Sequence, residues 1–395
     1  MPRANRIAFV CPRFAEHGTV GGAETLLKAL AERAAADGRQ VDFLTTCATN
    51  HFTWENTVPP GTRTFGGLNV TFFPVDADRN VAAFLNLQDA IDKRRALSRS
   101  DEEAWIGHSV NSRALMAHLR ENRDHYDRII TGPYLFGVAY HAALVAPEKT
   151  LLVPCLHDEP FAYLSIMRDV FHRVGGILFN IEAEQQLADR LYDLNGKGAV
   201  VGMGIEDRGA DPRAFARRRG LDRPYVAYCG RREPLKGTPI LLDYLHAFRS
   251  RTGRDVGLVL TGSGAYEAPE ALLPAVLDLG FVDEQEKREV MAGATCFIHP
   301  SLMESFGIVL LEAWLAGAPA LVHAKGVVLR EQCRRSGGGL WFRHYPDFEE
   351  ALIRLLDDPA LRQRLGDAGR RYVLDVYAWP AVERRLFAAL DGGAE

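Results

Sequence analysis

Short apolar runs rich in β-branched residues recur along the chain, separated by longer stretches of helical periodicity. In the first half the runs are RIAFVC, VDFLTT, NVTFFPV, RIITG, LLVPC and GILFN, with helices predicted over AETLLKALAERAAADG and EAEQQLADRLYDL. Strands apolar on both faces and joined by helical crossovers predict a parallel sheet covered on both sides, which is an α/β doubly wound fold. The rhythm breaks over Gly202–Arg223, a polar stretch rich in Arg and Gly with Pro212 inside it, and a hinge is placed there. Beyond it YVAYCG, VGLVLTG, CFIHP and PALVH begin a second series of strands. Two Rossmann-like domains facing a cleft are expected, over 1–203 and 204–376. The last stretch, YVLDVYAWPAVERRLFAALDGGAE, reads as a helix, a break near Pro380 and a terminal helix, with 377–395 expected to pack on the first domain and a loose tail beyond Asp391.

Length supports the division, since a single core stops growing well short of 395 residues. A hydrophobic content of 47%, with 25% charged and 9% aromatic residues, is that of a folded globular chain. The formal net charge of −4 offers no basic excess to neutralise phosphates, so nucleic acid is not expected as a partner. Cys11, Cys47, Cys155, Cys229, Cys296 and Cys333 lie far apart without metal-ligand spacing and are read as reduced core thiols. No run is apolar enough to cross a bilayer, and the first apolar stretch is too short for a signal peptide. A cytoplasmic location is the expectation.

The stretch ESFGIVLLEAW, Glu304–Trp314, places two acids in an otherwise apolar run. Its periodicity predicts a helix over 307–316, about 15 Å long at 1.5 Å per residue, ended by Gly317 and Pro319. Glu312 is the only charge on that helix, and a buried carboxylate needs a cation, donors or a ligand. The amides of Phe306, Gly307 and Ile308 would be free donors at the helix start, suited to a phosphate beside Glu304. A purely structural reading stands beside this one: Glu304 as a first-turn stabiliser and Glu312 paired with a core Arg or Lys.

Arg231 and Lys236, in CGRREPLKG, follow a predicted strand, and ligands of open α/β sheets bind beyond the carboxyl ends of strands. Two cations there suit a diphosphate; as a lone signal they equally suit a solvated turn. In VLTGSGAYE, Gly262, Ser263 and Gly264 form a turn that permits close approach of a flat ligand, without a dinucleotide fingerprint. Gly21 and Gly22 precede a helix, and their amides could meet a phosphate. His157, followed by Asp158 and Glu159, lies just past the run LLVPC and stands where a strand end would present it.

In order and spacing, GGAE, GRREPLKG, GSG, the long stretch GFVDEQEKREVMAGATCFIHPSLMESFGIVLLEAWLAGAPAL and a Trp-containing segment near the end resemble one family. It is the retaining, nucleotide-sugar-dependent glycosyltransferases of the GT-B fold, family 4. The resemblance implies that Glu304 contacts hydroxyls of the donor sugar and Glu312 the ribose. Phe306, Gly307 and Ile308 would give backbone donors, and Arg231 and Lys236 would neutralise the diphosphate without a metal. Gly21 and Gly22 would close on the phosphates, backbone around Val282 would meet the base, and His157 would lie near the reacting sugar. The segment with Trp379 would cross back to the N-terminal domain.

What the resemblance implies chemically is front-face transfer of a hexose-type sugar to a glycan or glycolipid acceptor, with the departing phosphate as base and no cofactor beyond the nucleoside-diphosphate sugar. Asn80–His125 matches no motif of that family, so the acceptor stays open. Lys93, Arg94, Arg95 and Arg99 suggest weak contact with the inner face of a membrane, although Asp101, Glu102 and Glu103 follow at once and favour a solvated surface. A sugar-nucleotide epimerase of the same architecture, or a non-catalytic glycan-binding scaffold, is the alternative.

Overall fold

The computed structural model describes residues 5–16 and 21–392. The chain divides into two units, Met1–Gly204 with Val382–Glu395, and Ile205–Ala381. The first unit is built on an eight-stranded sheet of β1 (Arg6–Val10), β2 (Gln40–Thr46), β3 (Gly61–Phe65), β4 (Leu68–Phe73), β5 (Arg128–Thr131), β6 (Thr150–Leu152), β7 (Gly176–Phe179) and β8 (Ala199–Val200). Their order is β3-β4-β2-β1-β5-β6-β7-β8. In the centre Ala8 faces Asp42 of β2 on one side and Ile129 of β5 on the other. Ile7 through Val10 are wholly buried, as a strand covered on both faces demands.

The sheet is not parallel throughout, which corrects the sequence expectation. β3 and β4 pair antiparallel across the turn Gly66–Gly67, where both residues take positive φ as a tight hairpin requires. GTRTF is polar and largely exposed at the sheet edge, so no apolar run announced it. Asn80–His125 folds into helices over Val81–Asp92, Arg99–His108 and Arg113–Asn122, with the side chains of Asn80, Ser98 and Ser112 capping the first turns. Its basic residues meet partners of the unit: Lys93 lies 2.6 Å from Asp89, Arg99 lies 2.8 Å from Glu103 and 2.6 Å from Asp169, and Arg94 covers the Tyr163 ring.

At the far end the break falls at Tyr377–Ala378, and Pro380 sits in the first turn of the helix Trp379–Leu390, where its missing N–H costs nothing. From Val382 onward this helix belongs to the first unit. Val382, Leu386 and Leu390 are buried, Arg39 reaches Asp391 at 2.7 Å and Arg33 reaches Glu383 at 3.5 Å. Of the tail beyond Asp391, residues 393–395 lie outside the described residues.

The second unit carries a six-stranded sheet of β9 (Tyr225–Cys229), β10 (Gly257–Thr261), β11 (Val276–Asp278), β12 (Cys296–His299), β13 (Ala320–His323) and β14 (Gly339–Phe342), in the order β11-β10-β9-β12-β13-β14. All its pairs are parallel. The chain leaves β9 toward β10 and β11, then returns to the other side of β9 as β12. The carboxyl ends of β9 and β12 therefore flank the topological switch point, the place where open α/β sheets bind ligands. All six cysteines are free thiols, five of them buried. Among the described residues no helix is long and apolar enough to cross a membrane.

Candidate functional site

Four loops of the second unit leave the carboxyl edge of its sheet: 230–237 after β9, 262–269 after β10, 279–283 after β11 and 300–307 after β12. They carry Arg231 and Lys236, Gly262 and Ser263, Val282, and Glu304 with Phe306 and Gly307, so one sheet edge brings together most of the residues singled out in the sequence. The first and last of these loops are tied by charge. Lys236 Nζ lies 2.6 Å from Glu304 Oε1, with the two side chains 23% and 16% exposed. The backbone reinforces the tie, since the Leu302 amide donates to the Leu235 carbonyl at 3.0 Å.

A third group shares the carboxylate. His299 closes β12, is 3% exposed, and places Nε2 at 3.2 Å from Glu304 Oε1. A carboxylate only accepts, so Nε2 donates its proton to it, while Nδ1 is buried without a partner. Burial alone would raise the Glu304 carboxyl, but the hydrogen bond and charge of His299 together with Lys236 outweigh it and hold the group well below the usual carboxylate range. Glu304 is therefore held in its ionised form, which only accepts hydrogen bonds.

That shift has a consequence for stability. Because the folded state depresses the carboxyl's pKa, its contribution is present above the unfolded value and is lost as pH falls below it. Glu304→Gln is expected to lower the unfolding free energy at pH 7 by about 2 kcal/mol, less than for a fully buried pair because Lys236 keeps some solvent. The difference from wild type should shrink on acidification below about pH 4.5. Urea melts across that range check it; parallel curves for the two proteins would show that the pair contributes nothing to folding.

The helix is shorter than the pattern suggested, Ile308–Leu315 rather than 307–316. Gly307 caps it at φ +84, a left-handed conformation outside the helix, and Gly317 at φ +85 lies past its end. Glu304 thus stands ahead of the first turn, facing Lys236 and His299 instead of the helix start. Phe306 is 5% exposed, its ring set edge-on to Tyr377 with centroids 5.1 Å apart, which fixes the backbone at the cap. The first amides from Ile308 onward have no carbonyl within the helix to bind, as at any helix start.

Glu312 does find a cation. Lys287, from the helix Glu284–Gly293, lies 2.9 Å from Glu312 Oε1 and 2.8 Å from Glu284 Oε2. Glu312 Oε2 is buried without a partner. Burial pushes the Glu312 carboxyl above its usual range against the pull of Lys287. The Lys287 ammonium is raised too: burial would lower it, and two carboxylates more than offset that. Pairing with a lysine matches the structural reading of Glu312, while the orphan oxygen leaves one acceptor that a ligand hydroxyl could satisfy.

Arg231 and its neighbour Arg232 differ in burial and in partners. Arg231 is about half exposed and pairs with Glu233 at 2.9 Å. Arg232 is 5% exposed; it contacts Asp278, donates to the Gly264 carbonyl at 2.6 Å and covers the Tyr266 ring. It holds the loop after β10 in place, helped by its own amide, which donates to the Ser263 carbonyl at 2.8 Å. Val282 is half-buried just ahead of Asp283, whose side chain caps the next helix through the Glu286 amide at 2.8 Å.

In the first unit His157 follows β6, about a quarter exposed, with Nδ1 at 3.7 Å from Glu159 Oε1. Gly21 ends the loop before the helix Gly22–Ala36, and its carbonyl accepts from the Thr25 amide at 3.0 Å. A Cβ on Gly21 would stand 2.3 Å from Glu24 Oε2, a buried carboxylate gripped by Arg13 Nε at 2.8 Å, whereas Gly22 faces open space. Gly18–Val20 of the same loop lie outside the described residues. Sequence reading missed His299, Lys287, Arg232 and Glu24. Arg232 left a signal in the doubled arginine of GRRE, and Glu24 in the acid that closes GGAE; His299 and Lys287 become visible once the chain is folded.

The folds of both units are those of GT-B glycosyltransferases. Sucrose-phosphate synthase from Thermosynechococcus elongatus superposes with a TM-score of 0.71 over 98% of this chain and 100% of that one, at 18% identity. Residues 213–372 match the family described as glycosyl transferases group 1. Over 92% of its length it is 27% identical to D-inositol 3-phosphate glycosyltransferase of Streptomyces avermitilis, of which 81% is covered. It is 31% identical to MMP alpha-(1->4)-mannosyltransferase of Mycolicibacterium hassiacum over 49% of this chain and 47% of that one.

Proposed function

We propose that the protein transfers a sugar from a nucleoside-diphosphate sugar to a hydroxyl of a glycan or glycolipid acceptor, with retention at the anomeric carbon and without a metal. The observation that carries the proposal is the Lys236–Glu304 pair at the switch point, an ammonium beside a carboxylate kept ionised. Breaking the anomeric C–O bond puts negative charge on the nucleoside diphosphate and positive charge on the sugar. Lys236, Arg231 and the amides at Ile308 stabilise the first charge, and Glu304 accepts from the sugar's hydroxyls. The acceptor oxygen forms the new bond on the face the leaving group departs from, and its proton passes to the departing phosphate. Glu312, through its unpartnered oxygen, takes the ribose. For the first unit, His157 is assigned to the transfer step. The name of the Streptomyces avermitilis relative, a glycosyltransferase acting at D-inositol 3-phosphate, supports a phosphorylated polyol as one acceptor to try.

Thermal unfolding with UDP, GDP, ADP and dTDP in turn names the base. A ligand at about a hundred times its Kd should add roughly 2.7 kcal/mol. The matching nucleotide sugar is then incubated with acceptors in EDTA, and the product anomer read by NMR. Retained configuration in EDTA is the expected result. An inverted product or dependence on added metal would overturn the mechanism, and conversion of the nucleotide sugar without acceptor would favour an epimerase.

A further inference from the structure

One buried acid plays no part in the site so far. Glu184, on the first turn of the helix Glu182–Tyr192, is 1% exposed. Its Oε1 accepts the Leu156 amide and its Oε2 the Asn180 amide, each at 2.6 Å. Leu156 immediately precedes His157, and Asn180 immediately follows β7, so one carboxylate ties together the carboxyl ends of two neighbouring strands, β6 and β7. The tie falls where the backbone is strained. Cys155 takes φ +52, a left-handed conformation unfavourable for a non-glycine residue and kept only where surrounding contacts hold it. Asn180 adds a contact there, its Nδ2 lying 3.7 Å from Cys155 Sγ. On the far side of His157, the Tyr134 hydroxyl donates to Glu159 at 2.8 Å. The segment around the histidine is thus held from both sides, and its own ring lies 3.7 Å from Glu159 Oε1.

We propose that Glu184 is a positioning residue: its buried carboxylate clamps the strained loop that presents His157 and thereby sets the orientation of that imidazole. The proposal rests on His157 belonging to the transfer site. A structural helix-start acid would need only the Asn180 amide; the bond to Leu156, outside its own helix, is what makes it a clamp. Burial pushes the carboxyl up to about 7, with the two amides and the charge of His157 acting in the opposite sense, so the groups that favour its charged form are those of the clamped loop and the helix start.

Glu184→Gln keeps one acceptor oxygen and sets an NH2 group against the other amide, so one of the two bonds is lost at nearly constant volume. Transfer should then show a kcat lowered about tenfold with a donor KM changed less than about twofold. The ring signal of His157, assigned by its loss in His157→Gln, should move in the carbon–proton NMR spectrum while that of His299 stays. An unmoved His157 signal, or an unchanged kcat, would overturn the proposal. Should His157→Gln itself leave kcat intact while Glu184→Gln still moves the ring signal, the clamp stands and the role given to His157 falls. If the glutamine variant does not fold, hydrogen exchange of the wild type decides: Leu156 and Asn180 amides exchanging as slowly as those of β6 support the clamp, and exchange as fast as an open loop rejects it.

Discussion

Lys236→Ala is expected to lower kcat/KM for sugar transfer by about a hundredfold or more, the scale seen when one preorganised donor to a developing anion is removed. The residue has two partners to serve. Its ammonium lies 2.6 Å from Glu304 Oε1, and the flanking loop places it at the switch point, where open α/β sheets bind ligands. Alanine removes the cation from the leaving group. It also leaves Glu304 with His299 alone, in surroundings where burial already works against its charge. The carboxylate then loses part of its capacity to accept hydroxyls, so kcat and nucleotide affinity should fall together. Lys236→Arg restores charge without the point geometry of an ammonium and should recover only part of the loss. Initial rates and calorimetric titration of the nucleoside diphosphate check both statements. Undiminished nucleotide affinity in a folded Lys236→Ala protein would take Lys236 out of the site.

The two units were legible in the sequence because parallel strands buried on both faces must be apolar throughout, as RIAFVC and VGLVLTG are. Exposed or very short strands were not: β3 is polar at an edge, and β8 and β11 span only two and three residues. The acids of ESFGIVLLEAW stood out for a comparable reason, since charges in an apolar run break the pattern and require an explanation. Their partners could not be read in the same way. Lys287 lies 25 positions from Glu312, and Lys236 lies 68 positions from Glu304. Those separations become contacts only when parallel strands bring the loops and helices that follow them together. His299 was hidden for the opposite reason: it ends an apolar strand, where a histidine looks like one more core residue. Arg231 and Arg232 are adjacent, and nothing in the sequence tells which of the two turns inward; the structure chooses Arg232 because Asp278 and the Gly264 carbonyl stand ready for its guanidinium.

Gly262→Ala should cost the second unit about 3 kcal/mol or more of stability and abolish nucleotide binding along with it. At φ +114 the position already excludes an L side chain from comfort, but space is the stronger objection. A Cβ there would stand 2.2 Å from the Gly230 carbonyl oxygen, 2.8 Å from its carbon and 3.1 Å from its nitrogen. Those are backbone atoms, and they are pinned. Gly230 donates its amide to the Thr261 carbonyl at 3.0 Å, Gly262 donates to the Gly280 carbonyl at 2.7 Å, and Arg232 donates to the Ser263 carbonyl at 2.8 Å. The loops after β9, β10 and β11 are thus laced through this one point, and a methyl group must part them before it fits. Gly253→Ala is the matched control, with φ +67 but nothing within 4 Å of the added carbon, so it should carry only the conformational penalty of about 1 kcal/mol. Chemical denaturation of both variants separates space from conformation. Equal losses would mean that the loops yield to the methyl group, and a joint that yields could not hold Lys236 and Glu304 in register for a diphosphate.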